Sequence, residues 1–118
     1  MRKKRYITGI VTAVLVVAVF FAQGTCLALT IKDSMKLYDE GKREYKREKY
    51  DEAIESFKKA VEECPESAMT EVAMYYLGKS YEKAGQKTEA KTVLKGLIEK
   101  YGSGKWAVWA NNDIKAMD

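Results

Sequence analysis

Histidine is absent from this chain. That removes the commonest general base and the commonest metal ligand together. Cysteine is scarce: Cys26 and Cys64 stand far apart and form no pair with zinc spacing. No serine lies in a G-x-S-x-G elbow. Beyond the first 28 positions there is one proline, Pro65, and no β-branched run, so strand signals are missing. Carboxylates are plentiful, but pairs such as Glu55 and Lys59 have the four-residue spacing of solvated ion pairs along a helix. No catalytic residue, cofactor or metal site is therefore expected, and the chain reads as a non-enzyme.

A basic excess is also missing where it would matter. The net charge of +4 comes from Arg2, Lys3, Lys4 and Arg5. From Leu29 onward, 17 Lys and Arg face 17 Asp and Glu. A neutral domain lacks the field that phosphate neutralisation requires, so no nucleic acid is expected as partner. No charge occurs between Arg5 and Lys32, and Ile7 to Ala22 form an apolar run. Small residues at Cys26 and Ala28 then fit cleavage after Ala28. Residues 1–28 thus read as a secretory signal peptide. An uncleaved membrane anchor through residues 7–28 is the alternative, although the apolar run falls slightly short of about 20 residues. Lipidation at Cys26 is a third reading, poorly supported by Gln23, Gly24 and Thr25 before it. The first two readings place residues 29–118 outside the inner membrane, in a bacterium the periplasm, either free or anchored. After cleavage Cys64 would have no internal partner, and it reads as a small, partly buried residue.

Residues 29–118 are rich in Ala, Lys, Glu, Leu, Met and Tyr, which favour helix. In "DEAIESFKKAVEE", Ala53, Ile54, Phe57, Ala60 and Val61 share one helical face. Cys64 before proline disfavours the α region and ends that helix. Ser67 reads as the N-cap of the next helix, and Gly85 as its C-terminal stop. A further helix starts near Thr88 and breaks at Gly102 and Gly104. The last carries Trp106, Ala107, Trp109, Ala110, Ile114 and Met117. Upstream, about Asp33 to Arg47 forms the first of five helices.

An internal repeat emerges when Gly41 is set over Gly78, an offset of 37 residues. Ala53 then lies over Ala90, and Phe57 over Leu94. Here the sequence resembles the tetratricopeptide repeat family. "YDEAIESFKKAVEECP" is similar to the second helix of that repeat, and "YYLGKSYEKAGQKTEA" to the first helix and turn of the next. The resemblance implies an all-α, helix-turn-helix solenoid. Its units are about 34–67 and 71–104, with a capping helix about 105–117. Gly41 and Gly78 would be close crossings. The plain repeat is 34 residues long. The longer link "PESAMTEVA" looks like the branch associated with the Tol-Pal system and outer-membrane assembly.

Gly78-Lys79-Ser80 imitates the end of a phosphate-binding loop, but Ala73 stands where that loop needs glycine, and the segment is helix-periodic. The family resemblance gives Lys79 another job. It implies a groove for a protein or peptide partner lined by Met35, Tyr38, Lys42, Tyr45 and Lys46, then Val72, Tyr75, Lys79, Glu82 and Lys83, then Trp109 and Asn112. Tyrosine supplies flat contact area with a polar tip, and lysine supplies charge for carboxylates. Tyr38, Tyr45 and Tyr75 have an alternative role, packing within the repeat. Trp106 and Trp109 leave self-association open.

Overall fold

The computed structural model describes residues 28–63, 65 and 69–118. The expected leader, its Cys26, and also Cys64 and Ser67 lie outside them. Five helices follow in order: α1 (Ala28–Lys46), α2 (Tyr50–Glu63), α3 (Thr70–Lys83), α4 (Lys87–Tyr101) and α5 (Lys105–Met117). No strand occurs among the described residues, and no helix there is long and apolar enough to cross a membrane. The fold is an all-α solenoid of two helical hairpins and a final helix.

Two boundaries differ from the expected ones. Helix α1 begins at Ala28 instead of near Asp33. No proline or glycine stands between those positions to stop it. Helix α3 begins at Thr70 with Met69 as N-cap and no side-chain cap, rather than at Ser67. Met69 packs on the core, so apolar contact anchors this helix entrance.

Both hairpins turn in the same way. After α3, Gln86 N–H donates to Tyr81 C=O at 2.8 Å and Gly85 N–H to Glu82 C=O at 3.1 Å. This double closure needs a left-handed residue, and Gly85 supplies it at φ 84°. After α1 the same pair recurs, from Lys49 to Glu44 at 2.9 Å and from Glu48 to Tyr45 at 3.0 Å. There Glu48 takes the left-handed position, at φ 63°.

The glycines at the crossings have a steric cause. A Cβ on Gly41 would stand 2.7 Å from Phe57 Cε1, and one on Gly78 would stand 2.6 Å from Leu94 Cδ2. Phe57 and Leu94 are fully buried, and they fill the space the glycines leave open. Tyr38, Ala53, Ile54, Phe57, Ala60, Ala73 and Leu77 form one core across α1, α2 and α3. Leu94, Leu97 and Ala110 centre a second, flanked by Met74, Trp106 and Ile114. Two buried hydroxyls bridge the first hairpin: Ser34 donates to Ala60 C=O at 2.9 Å, and Ser56 to Glu44 at 2.8 Å.

The repeat register also shows what the first and last described helices present outward. Helix α3 packs on the first hairpin through Met69, Ala73 and Leu77. One repeat earlier, α1 has Lys32, Lys36 and Glu40 at those positions, followed by Arg43 and Arg47. Burying such a face would strand its charges. At the other end, Lys115 stands in register with Gly41 and Gly78, and it is exposed. A lysine there does not leave the open space that Gly41 and Gly78 give Phe57 and Leu94. Charged outer faces on terminal helices are how repeat arrays stay soluble.

Candidate functional site

The groove residues implied by the sequence fall in register rows across α1, α3 and α5. Met35, Val72 and Trp109 make one row. Tyr38, Tyr75 and Asn112 make the next. Lys42 and Lys79 follow, then Tyr45 and Glu82, then Lys46 and Lys83. Helical periodicity puts these rows on one side of each helix. The side chains do very different things within that frame.

Tyr38 is 8% exposed and belongs to the core. Its ring lies 5.9 Å from Phe57 and 6.2 Å from Tyr76. Burial, with smaller contributions from Tyr76 and Asp39, pushes its hydroxyl up to about 12. Its packing role therefore prevails over the open groove wall the sequence suggested. Tyr45 is half-buried between Tyr50 at 5.5 Å and Tyr76 at 5.9 Å. Its pKa is also raised, mainly by burial, with nearby Lys79 opposing.

Tyr75 and Lys79 converge on a residue that sequence reasoning passed over. The Tyr75 hydroxyl donates to Asp113 at 2.9 Å. Lys79 lies 2.9 Å from Glu82 and 3.4 Å from the same Asp113 oxygen. Burial alone would lower the Lys79 pKa, but Glu82 and Asp113 outweigh it and leave the pKa above its ordinary value. Burial and then Asp113 raise that of Tyr75. The network ties α5 to α3, so Lys79 and Tyr75 hold the capping helix in place. Asn112, the expected contributor from α5, is exposed and outside this network. Lys83 is exposed at the end of α3. The signal for Asp113 was present in the repeat register, where it lies 37 residues after Tyr76.

Lys42 has no such carboxylates. Its ammonium lies 5.6 Å from the ring centroids of both Tyr38 and Tyr76. Near the α5 end, Trp106 and Trp109 meet edge to face at 5.1 Å, and Tyr75 lies 5.2 Å from Trp106. Lys105 covers Trp109 at 4.5 Å. Met35 and Trp109, at opposite ends of the apolar row, are 46% and 42% exposed.

The Gly78-Lys79-Ser80 stretch lies inside α3. Gly78 abuts Leu94, Lys79 is ion-paired, and Ser80 donates to Tyr76 C=O at 2.7 Å. Each residue has a structural role, and none of the three is positioned in a loop for phosphate. Among the described residues, no group of three His, Cys, Asp or Glu could hold a metal ion.

Comparison with known families gives two matches, both described as tetratricopeptide repeat, over residues 35–67 and 72–103. No curated protein matches the chain. The two repeat matches together span more than half of the sequence, and the chain belongs to the tetratricopeptide repeat family.

Proposed function

We propose that this protein is an exported, non-enzymatic adaptor of the bacterial cell envelope, binding a peptide or protein segment across α1 and α3. Repeats of this family generally mediate protein–protein interaction, and the family is typically non-enzymatic. The basic, apolar and small-residue pattern of residues 1–28 supports export to the periplasm. The link "CPES" supports the Tol-Pal and outer-membrane-assembly branch as its setting. One observation carries the partner-binding reading: a single face combines exposed Met35 and Trp109 with Lys42 lodged against tyrosine rings. Apolar anchors beside a half-buried charge are what hot-spot surfaces offer a partner.

Photo-crosslinking in intact cells tests this reading. A probe at Lys46 or Trp109 is expected to capture one discrete partner, whereas a probe at exposed Lys58 on α2 captures none. Equal capture at all three positions would refute the face. N-terminal sequencing of the exported form should give Leu29. Retention of residues 1–28 would favour the membrane-anchored alternative.

A competing reading is self-association, favoured by exposed Val108 and Trp109 on α5. The charged outer face of α1 opposes end-to-end stacking. A concentration-independent monomer on sizing would exclude this reading.

A further inference from the structure

The two repeats hold equivalent lysines in opposite states. Lys79 is neutralised by Glu82 and Asp113. Shift the register back by one repeat and Lys79 becomes Lys42, Glu82 becomes Tyr45, and Asp113 becomes Tyr76. Both acids are replaced by aromatic rings. Lys42 keeps the same place on its helix, yet no hydrogen bond or ion pair reaches it among the described residues.

Rings attract an ammonium through their faces but do not neutralise it. An ammonium offers three hydrogen-bond donors, and at Lys42 ring faces take the place that oxygens fill around Lys79. The half-buried position also removes part of its water. A carboxylate arriving from outside would make charge-assisted hydrogen bonds. It would do so in a setting where the dielectric is below that of bulk water. The second repeat shows what such an occupant looks like, because Asp113 plays that part for Lys79 from within the chain.

Resting on the partner-binding reading above, we infer that Lys42 is the anchor for an acidic side chain of the bound segment. Exposed Lys46 lies one turn further along the same stripe of α1, and exposed Met35 two turns back. Seven helical residues span about 10 Å. An extended chain covers that distance in about three residues. The partner segment therefore carries an apolar residue and an acidic residue about three positions apart. The second repeat takes no carboxylate, because its lysine is already paired.

The test uses the full chain and a fluorescein-labelled synthetic peptide with Leu and Glu three positions apart in a Ser/Thr background. Fluorescence anisotropy is expected to detect binding that weakens with salt. Lys42→Gln and the peptide's Glu→Gln change should each weaken binding about tenfold, with no further loss when combined. Thermal stability of Lys42→Gln should stay at the wild-type value. Lys79→Gln should lower thermal stability while leaving affinity within about twofold. Equal affinity of wild type and Lys42→Gln would overturn the assignment, and so would an equal loss of affinity in Lys79→Gln. Absence of peptide binding by the wild type would also overturn it. Crosslinking from Lys46 or Trp109 would still decide the broader partner face, so the two failures are distinguishable.

Discussion

Replacing Gly78 by alanine pits a local gain against a tertiary cost. Within a helix, alanine is better than glycine by about 0.5–1 kcal/mol, because the unfolded chain loses freedom. Here the added methyl would stand 2.6 Å from Leu94 Cδ2 and 2.7 Å from Leu94 Cγ. Leu94 is fully buried and has no room to retreat. Moving its Cγ displaces the whole side chain into a packed core, at a cost of about 1–3 kcal/mol. The cost wins, so Gly78→Ala should destabilise by about 1 kcal/mol, lowering Tm by roughly 4–8 °C in a domain this small. Leu94→Ala alone should cost about 2–5 kcal/mol through the cavity it leaves. In that background the clash is gone, and Gly78→Ala should become stabilising by about 0.5–1 kcal/mol. Gly96 supplies the control: it lies inside α4, and a Cβ there meets only Met74 Cε, at 3.7 Å. Gly96→Ala should therefore raise Tm. Urea and thermal unfolding followed by far-ultraviolet circular dichroism would read all four variants. A rise in Tm for Gly78→Ala in the wild-type background would refute the close-crossing argument. So would the same loss with and without Leu94.

Two further outcomes follow from particular residues. Glu48 holds the left-handed turn that Gly85 holds one repeat later, so Glu48→Gly should stabilise by about 1 kcal/mol on urea unfolding, and a loss would contradict the strain assigned there. Tyr38, Tyr45, Tyr75 and Lys79 all have raised pKa values in the fold. Each contribution is complete below the ordinary pKa near 10 and is lost as pH rises through the folded value. Tyr38 alone, at about 12, should remove about 1 kcal/mol of stability by pH 11. Unfolding at pH 8, 10 and 11 would reveal this loss, and unchanged stability at pH 11 would contradict it.

The sequence by itself determined the five helices, the repeat and its glycines. These depend on periodicity and on residues with one dominant backbone or steric property, which act over a turn or two of chain. Gly85 stops α3 wherever that helix is placed, and an offset that sets Gly41 over Gly78 also sets Phe57 over Leu94. The helix starts were less legible. At Met69 the entrance is anchored by packing on the core, which no N-cap residue announces. The partner face was legible only as a set of positions. Tyr38 and Tyr75 look alike in sequence, yet the first is core and the second bonds to α5. Lys42 and Lys79 are equivalent in register, and one difference between them is local: Glu82 lies three residues after Lys79, where Tyr45 follows Lys42. The other arrives from the next helix in the layer, Tyr76 in one case and Asp113 in the other, and only the fold shows it. Whether a lysine is paired depends on atoms a few ångströms away, and here Tyr76 and Asp113 stand more than 30 residues along the chain from the lysines they meet.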